Sequence, residues 1–346
     1  MNRFYLLLLS CTLFFSCNPS DSKREITMLQ WNIWMGGTVV PNAFESLVGE
    51  IERLQPDFIT ISEVWNRNDS TFCSKIIESL ANKKLTYYAY FGHDTGVLSK
   101  YPIHESSKVY AVEGKSGTIN RIVTSIGKQE FAVYTAHLDY LNDAYYDTKG
   151  YDGSTWQKRS IPESVEEILN INNASSRDDA IKEFVKVSKE DIEQGRIVIL
   201  GGDFNEPSHL DWTNETKDLY DHNGFVIPWT CTSLLEENGF IDTYRSLYKD
   251  PILYPGFTFP SDNPLIPVER LAWGPEADER DRIDFIFYYP NPIIELSKAS
   301  IFGPQKSILR SQRVDESSLD PFITPLYPWP TDHKGVLVTF EIKEGR

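Results

Sequence analysis

The sequence contains few cysteines and fewer basic than acidic residues, and each shortage excludes a class of protein. Of 346 residues four are cysteine, and Cys11 and Cys17 lie in an N-terminal apolar segment. Cys73 and Cys231 are too few for a disulfide framework in a chain of this length, and the sequence does not decide whether they pair. The 34 Lys and Arg residues against 50 Asp and Glu residues give a formal net charge of −16. Such a charge opposes non-specific binding to nucleic acid, although a local basic groove is compatible with it.

Several motifs that identify nucleotide-binding proteins and hydrolases are also absent. The sequence has no glycine-rich P-loop, no protein-kinase motif set and no serine nucleophile elbow. It has no internal repeat and no low-complexity run. No linker rich in Pro, Gly or Ser divides the chain after its first residues, so we predict one domain over residues 26–346. A hydrophobic content of 40% is sufficient for a sizeable core.

The N-terminus carries an apolar run that is too short to span a membrane. This run covers residues 4–15 and follows one positive charge, which predicts a signal peptide over residues 1–16. A small residue followed by Cys17 resembles the lipobox of bacterial lipoproteins, so we expect acylation of Cys17 and a tether over residues 17–25. Acylation at Cys11 would leave too short an apolar run before the modified residue. The alternative to a lipoprotein leader is an ordinary secretory signal peptide. The expected location is the cell envelope, with a lipid anchor holding the protein at the periplasmic face or cell surface.

From residue 26 onward, segments typical of strands and of helices alternate. The predicted strands cover residues 26–34, 57–65, 87–92, 96–103, 121–140 (two strands joined at Gly127–Lys128), 197–200, 282–289, 298–303 and 335–342. The predicted helices cover residues 44–56, 70–84, 176–195 and some of 233–248. Mixed hairpins and helical crossovers favour sheets that are covered by helices. Segment 141–175 is long for a connection and rich in Tyr, Trp, Lys and Arg, so we expect an ordered insertion that faces substrate.

The segment RIVILGGDFNEPSHLDW, residues 196–212, combines a buried strand with polar residues. Its apolar run, residues 197–200, is typical of a strand covered on both faces. Two glycines then lead to Asp203 and Asn205. Because Gly, Asp, Asn and Pro all form turns, the segment by itself is equally compatible with a turn.

Polar residues recur at or near the ends of the other predicted strands. They are Asn32, Glu63, His137, Asp139, Asp284, Asp332 and His333. A buried polar group without a partner costs about 1–3 kcal/mol, so turns alone do not explain so many clusters. Carboxylates and a carboxamide, without a Cys–His cluster, suit a hard cation such as Mg²⁺ or Mn²⁺. Together with histidines that transfer protons or stabilise an oxyanion, this set suits metal-assisted phosphoester hydrolysis.

The ordered motifs QWNIW, SEV, AHLDY, GGDFNEP, RIDFIF and TDH resemble the endonuclease/exonuclease/phosphatase superfamily, which has the deoxyribonuclease I-like fold. The resemblance covers residues 26–342, and the order of the motifs carries it. It implies a four-layered α/β sandwich in which two packed mixed β-sheets are flanked by helices, with the site at one sheet edge.

The resemblance also implies roles for the residues that would bind the metal and the water. Glu63 is expected to be the main metal carboxylate, with Asn32 beside it. Asp332 is expected to contribute to the ion or to its waters. Asp203 resembles the residue that polarises the attacking water, and Asn205 the residue that holds water and phosphate.

The histidines have implied roles of their own. His333 resembles the phosphate-binding histidine that stabilises the pentavalent transition state, and Asp284 the carboxylate that orients it. His137 resembles the second histidine, which donates a proton to the leaving oxygen. Arg121, on the strand before His137, is a candidate phosphate contact. Asp139 is compatible with a supporting position beside the site and with an ordinary strand end.

Other features depart from the motifs or fall outside them. Four histidines are expected to be structural, although one of them, His209, is close to Asn205 in sequence; they are His93, His104, His209 and His222. Segment 255–285 extends the region before Asp284. We expect this segment and the insertion at 141–175 to lie near the mouth of the site. The substrate of this protein therefore cannot be inferred from any single branch of the superfamily.

The expected function is divalent-metal-dependent hydrolysis of a phosphodiester in a small molecule or in a lipid or glycan head group. An activated water would attack in line, and Tyr151 and Trp156 are expected to contact the substrate. An extracellular endonuclease is the alternative, in which Lys149, Lys158 and Arg159 line a groove. A phosphomonoesterase is a further alternative, and so is a non-catalytic binding module, which the intact set of site residues argues against. We expect a monomer, for which nucleic acid is a possible but not a favoured partner.

Overall fold

The computed structural model describes residues 24–65, 71–113 and 116–343 of the chain. Among these residues, a pair of mixed β-sheets packs face to face, and helices cover the outer faces. The α/β sandwich predicted from the sequence is therefore confirmed. The predicted signal peptide and the lipidation site Cys17 lie outside the described residues. No helix of the described residues has the length and apolar character needed to cross a membrane.

The strands of the described residues are β1 (Arg24–Asn32), β2 (Phe58–Ser62), β3 (Tyr88–Phe91), β4 (Thr95–Ser99), β5 (Ile103–Ala111), β6 (Thr118–Ile126), β7 (Gln129–His137), β8 (Ile197–Asp203), β9 (Ile241–Asp242), β10 (Asp284–Tyr288), β11 (Ile294–Phe302), β12 (Lys306–Leu309), β13 (Gln312–Asp315), β14 (Phe322–Ile323) and β15 (Gly335–Ile342). Most of them fall on predicted segments, but β5, β9, β12, β13 and β14 were not predicted from the sequence. The first sheet has the order β14-β11-β15-β1-β2-β4-β3, and the second has the order β5-β6-β7-β8-β10-β9. Strands β12 and β13 form a separate hairpin.

Strand directions bring particular strand ends together at one edge of the sandwich. In the first sheet β1 is parallel to β2 and antiparallel to β15. In the second sheet β7 is parallel to β8, and β10 is antiparallel to β8. The ends of β1, β2, β7 and β8 therefore lie at the same edge as the starts of β10 and β15.

The helices complete the outer layers. They are α1 (Trp34–Gly37), α2 (Ala43–Leu54), α3 (Thr71–Asn82), α4 (Ala144–Asp147), α5 (Val165–Asn172), α6 (Arg177–Glu193), α7 (Thr230–Glu237) and α8 (Thr243–Leu247), with a 3₁₀ turn at Val268–Arg270. Helices α2 and α3 pack on the first sheet, and α6 and α7 on the second. Cys73 and Cys231, which lie on α3 and α7 in opposite outer layers, do not form a disulfide.

Strand β8 explains why its apolar run is continuous. Ile197 and Ile199 face the core between the sheets, whereas Val198 and Leu200 face α6 and α7. Both faces of the strand are therefore buried, which removes the usual alternation of polar and apolar residues.

The two glycines that follow this run continue the strand instead of turning it, and β8 extends to Asp203. A Cβ atom at Gly201 would collide with Thr60 on the facing sheet, and one at Gly202 would collide with Ala136 on β7. The glycines therefore allow close packing of the backbone, which carries Asp203 to the edge of the sandwich.

The insertion at residues 141–175 is ordered, as expected. It contains α4 and α5, and its aromatic side chains pack with Trp212 and Trp229 in an apolar cluster of their own. A bridge between Tyr151 and Lys158 closes its central loop. The insertion is therefore built onto the edge of the sandwich at which β7 and β8 end.

Candidate active site

The edge where the strand ends meet collects the polar residues selected from the sequence. They are Asn32, Glu63, His137, Asp203, Asn205, Asp284, Asp332 and His333. Asp203 lies at the centre of this group, because it pairs in register with His137 on β7 and with Asp284 on β10. The sheet topology thus fixes three of these residues side by side.

Asp203 is buried and held by neighbouring amides. Nδ2 of Asn32 donates to Asp203 Oδ2 at 2.8 Å and to Glu63 Oε1 at 3.1 Å. The backbone N–H of Asn205 donates to Asp203 Oδ1 at 3.0 Å. The Nε2 atoms of His137 and His333 lie 3.9 and 3.8 Å from Asp203 Oδ2. One carboxylate therefore stands between two imidazole rings, in a position to accept a proton from a water held there.

Glu63 is held in a strained backbone conformation. Its φ is 60°, in the left-handed region that non-glycine residues adopt at a cost of about 1–3 kcal/mol. The backbone N–H of Met35 donates to Glu63 Oε2 at 2.8 Å, and that of Gly36 donates to the Glu63 carbonyl at 2.6 Å. Asn205 also has a positive φ, of 47°. Such strain persists where surrounding contacts fix it, and it is concentrated at functional sites.

His333 and Asp284 form a buried pair. Nδ1 of His333 donates to Asp284 Oδ2 at 2.9 Å, and Gln30 Nε2 donates to Asp284 Oδ1 at 3.4 Å. Burial disfavours the imidazolium, but the charges of Asp284 and Asp203 outweigh it and raise the pKa of His333 to about 10. Nε2 of His333 is therefore a charged donor at neutral pH, directed toward Asp203 and the cavity.

His137 has a matching partner that sequence reasoning missed. Nδ1 of His137 donates to Asp94 Oδ2 at 2.5 Å. Burial opposes protonation, but the charges of Asp94, Asp203 and Glu63 raise the pKa of His137 to about 10. Asp94 lies in the turn between β3 and β4. The rule that selected the other residues, a polar side chain beside a strand end, would have selected it as well.

The donor set fits a divalent cation. Glu63 and Asp332 present carboxylate oxygens to the cavity, and Asn32 is fully buried beneath them. Burial raises the pKa of Asp332 to about 7; the charge of His333 opposes this rise and that of Glu63 adds to it. A hard cation bound between the Glu63 and Asp332 carboxylates would offset the repulsion between their charges. Oxygen atoms are the ligands that Mg²⁺ and Mn²⁺ prefer.

A second group of possible ligand atoms lies directly behind the first. Single ligand atoms of Asp203, Asp284 and His333 all lie within 4.8 Å of one another. Because Nδ1 of His333 donates to Asp284 and its Nε2 carries a proton at neutral pH, this group offers carboxylate oxygens rather than an imidazole nitrogen to a cation.

Glu63, His137, Asn205, Asp332 and His333 form the floor of a cavity of about 510 Å³, whereas Asn32, Asp203 and Asp284 are buried and do not line it. Aromatic side chains make up much of its wall; they are Trp34, Trp65, Tyr140, Tyr145, Tyr146, Trp156, Phe259 and Trp273. Trp156 packs on Trp273 with 4.7 Å between ring centroids, and it lies parallel to Tyr140. Trp156 comes from the insertion and Trp273 from segment 255–285. Both segments therefore lie at the site mouth, as expected.

Two predicted substrate contacts lie away from the cavity. Nε of Arg121 donates to Asp191 on α6 at 2.8 Å, and a second nitrogen of the same guanidinium pairs with Glu105. Arg121 shares the helix-facing side of β6 with Val123, so it belongs to an ion-pair network. Tyr151 is buried in the apolar cluster of the insertion, where its hydroxyl accepts from the backbone N–H of Glu276 at 3.1 Å. Neither side chain lines the cavity.

The basic residues proposed for a nuclease groove also have other partners. Nζ of Lys149 donates to the Tyr220 carbonyl at 2.6 Å, and Lys158 pairs with Glu276 at 2.5 Å. Arg159 pairs with Asp147. None of the three basic side chains lines the cavity. Lys158 is exposed, whereas Lys149 is buried against the rings of Tyr145 and Trp212. The three residues therefore do not form a basic groove that leads to the cavity.

The remaining polar residues are mostly structural. Asp139 accepts from the backbone N–H of Ser176 at 3.2 Å and so caps the start of α6. His209 is held between Thr232 and Glu236, and His222 is buried against Trp212. His104 lies on β5 and is exposed. His93, also expected to be structural, instead lines the cavity and is exposed.

Comparisons with known proteins bear on the family and the fold of this chain. A sequence model of the endonuclease/exonuclease/phosphatase family matches residues 29–333 of this chain. An uncharacterised protein of Caenorhabditis elegans is 26% identical over 354 residues, which is 97% of either chain. Truncated TDP2 from C. elegans superposes with a TM-score of 0.53 at 16% identity, over 92% of this chain and 98% of that one. TDP2 from D. rerio, solved with a single-strand DNA product, gives 0.50 at 15% identity, over 91% and 98%. At these identities the solved structures support the fold.

Proposed function

Since the chain belongs to the endonuclease/exonuclease/phosphatase family, we propose that it hydrolyses a phosphodiester in a small molecule or in a lipid or glycan head group. Membership makes it a divalent-metal-dependent phosphoric ester hydrolase of the phosphodiesterase and nuclease type. The cavity supports the small substrate class. Its volume of about 510 Å³ is within the range of small-molecule sites, and its aromatic wall is typical of them.

The charges around the cavity support the same class. The described residues that line it include six carboxylates and no Lys or Arg. A nucleic acid polymer is bound mainly through Lys and Arg contacts to successive phosphates. A long polyanion would therefore meet repulsion at this mouth, whereas a single phosphodiester needs only the imidazolium donors and the metal residues on the floor.

The residues of the site have different roles in the reaction. A water oxygen bonds to phosphorus while its proton passes to Asp203, and His333 donates from Nε2 to a non-bridging oxygen as charge develops there. The bond from phosphorus to the leaving alcohol breaks, and His137 gives its proton to that oxygen. When bound, Mg²⁺ or Mn²⁺ at Glu63 and Asp332 would polarise the phosphoryl oxygen.

Trp156 and Lys158, two residues apart in the insertion, provide a matched test of this substrate class. We expect Trp156→Ala to lower kcat/KM for a small diester by about tenfold, because a ring in the cavity wall contributes on the order of 1 kcal/mol. We expect Lys158→Ala to change it by less than about twofold, because an exposed ion pair contributes little. The measurement is kcat/KM of both variants on bis(p-nitrophenyl) phosphate.

The salt dependence of the wild-type protein controls for the nuclease alternative. Small-diester hydrolysis is expected to change little between about 50 and 200 mM salt, and plasmid DNA is expected to be cut poorly. A protein that tracks phosphates loses orders of magnitude in affinity over this range. Efficient plasmid cleavage that collapses with salt, together with a larger effect of Lys158→Ala, would favour an endonuclease.

We propose that the protein acts in the cell envelope, attached through an acylated Cys17. The support is the short apolar run over residues 4–15 and the small residue before Cys17. We expect wild-type protein expressed in a bacterium to incorporate labelled palmitate and to sediment with membranes, and Cys17→Ser to do neither. Unchanged labelling of the variant would instead indicate Cys11, and no labelling of either protein would indicate an ordinary secretory peptide.

A further inference from the structure

One wall of the cavity is acidic and aromatic, and it contributes none of the floor residues. This wall, called here the acidic wall, consists of Asp143, Tyr145, Tyr146, Glu279 and Asp281. Asp143 is the N-cap of α4, Tyr145 and Tyr146 lie in that helix, and Glu279 and Asp281 lie in the segment that leads into β10. Since β10 starts at the site edge, the acidic wall lies next to the catalytic floor.

The three carboxylates of the acidic wall have neutral partners. Glu279 accepts from the Tyr146 hydroxyl at 3.1 Å and from the backbone N–H groups of Trp273 and Gly274. Asp281 accepts from the indole N–H of Trp212 at 2.8 Å. Asp143 accepts from the backbone N–H of Tyr145 at 3.2 Å. No Lys or Arg side chain of residues 24–65, 71–113 and 116–343 forms an ion pair with any of the three.

Burial of these carboxylates is only partly compensated by positive charge. It raises the pKa of Asp143, Glu279 and Asp281 to about 7 in each case. The ammonium group of Lys149 lies behind the wall, 4.4 Å from the Tyr145 ring centroid, and its charge opposes the rise at Glu279 and Asp281. The positive charge of Lys149 therefore acts on both Glu279 and Asp281, and a second cation on the cavity side would stabilise both carboxylates.

Tyr145 contributes an aromatic ring to the acidic wall. Its side chain lines the cavity, and the residue is only 3% exposed. Its hydroxyl is buried and has no hydrogen-bond partner among the described residues.

Aromatic faces continue from the acidic wall to the mouth. Trp156 and Trp273 pack together there, and Tyr140 and Trp273 are 46% and 47% exposed. Aromatic faces attract cations through the ring quadrupole, and such rings around a site are the usual means of binding alkylammonium groups. Carboxylates and aromatic faces together favour a cation and disfavour a phosphate or a sugar carboxylate.

We propose that the acidic wall binds the positively charged end of the substrate, an alkylammonium group. The substrate phosphate would then lie at His333, His137 and the metal residues, while the ammonium lies against Glu279 and the aromatic rings. This inference rests on the proposed phosphodiesterase function and specifies its substrate as a zwitterionic phosphodiester, such as an ester of phosphocholine.

The first experiment compares two substrates that differ only in charge. p-Nitrophenyl phosphocholine and p-nitrophenyl 3,3-dimethylbutyl phosphate have the same shape, with a carbon atom replacing the quaternary nitrogen in the second. We expect kcat/KM of the wild-type protein with Mn²⁺ to be at least about tenfold higher for the cationic substrate. Equal values would overturn the inference and leave the phosphodiesterase function intact. No hydrolysis of either, or of bis(p-nitrophenyl) phosphate, would overturn the function itself.

The second experiment measures binding without turnover. Choline is expected to change the intrinsic tryptophan fluorescence of the wild-type protein, and 3,3-dimethylbutanol is expected to bind at least about tenfold more weakly. Glu279→Gln should lose about tenfold in choline affinity. The control Glu276→Gln, at an exposed residue on the same segment, should lose none. Equal affinity for choline and its neutral analogue would overturn the inference, and this comparison does not depend on the folding of any variant.

The third experiment distinguishes a lipid from a soluble source of the same group. Glycerophosphocholine, vesicles of phosphatidylcholine and vesicles of phosphatidylglycerol are each incubated with the protein and Mn²⁺. Release of choline or phosphocholine from the first two identifies a soluble or a lipid substrate, respectively, and either result supports the inference. Hydrolysis of the anionic phosphatidylglycerol alone would overturn it.

Discussion

Replacing His333 with alanine is expected to lower kcat by about 100-fold or more and to change KM much less. The ring is buried, Asp284 holds its Nδ1, and its Nε2 faces the cavity as a charged donor. A donor to a non-bridging oxygen strengthens as charge develops on phosphorus, so its loss raises the barrier more than it weakens substrate binding. Loss of one such donor costs about 100- to 1,000-fold in well-studied hydrolases. The measurement is kcat and KM of the variant on bis(p-nitrophenyl) phosphate with saturating Mn²⁺.

Two further variants control this prediction. Asp284→Asn keeps the ring of His333 in place but removes the charge that favours its protonated form, so its effect on kcat should be milder and in the same direction. His209→Ala should have no effect on kcat, because His209 is held by Thr232 and Glu236 away from the cavity. If His333→Ala kept kcat within about threefold of wild type, the role assigned to His333 would be wrong.

Removal of divalent metal is expected to abolish turnover, and Mg²⁺ or Mn²⁺ is expected to restore it. Glu63, which is half-buried, and the buried Asp332 place two carboxylates at the cavity floor, and the described chain has no thiolate cluster that would favour a softer ion. Without a cation, their charges would also repel the phosphate. The measurement is kcat/KM after exhaustive dialysis against EDTA, followed by titration with each ion.

Direct binding of Mn²⁺ gives this prediction a readout besides activity. Electron paramagnetic resonance is expected to detect one or more bound ions in the wild-type protein and at least about tenfold weaker binding in Glu63→Gln. Glu269→Gln, on the 3₁₀ turn away from the cavity floor, is a control for general changes in charge. Full activity after the dialysis, with no bound metal, would contradict both the metal requirement and the assignment of Glu63.

The structure brings the polar strand-end residues together, whereas it places Arg121 and Tyr151, two expected substrate contacts, away from the cavity. Asp203, His137 and Asp284 follow or begin apolar strands, and strand ends meet at sheet edges, so local pattern was sufficient to group them. The sequence around Arg121 does not show which face of its strand the side chain occupies. Its guanidinium faces α6, because it shares a side of β6 with Val123, and only the pairing partner Asp191 reveals this.

The same distinction applies to the aromatic residues of the insertion. Composition alone predicted an ordered segment that faces substrate, but it did not separate Trp156, which lines the cavity, from Tyr151, which packs inside the insertion. The difference arises from how α4 and the following loop fold back on Trp212 and Trp229. These contacts are distant in sequence, so no local pattern encodes them.

By itself, the sequence determined most of the strands and the polar residues at their ends, because hydrophobic periodicity and turn residues act over a few neighbouring positions. Only the tertiary structure decided which side chains share the cavity. It paired Asp94 with His137, turned Arg121 toward a helix, and set Glu279 beside Tyr146 across 133 positions of the chain. Those contacts depend on sheet packing and burial, and the electrostatic properties of the site follow from burial rather than from the order of the residues.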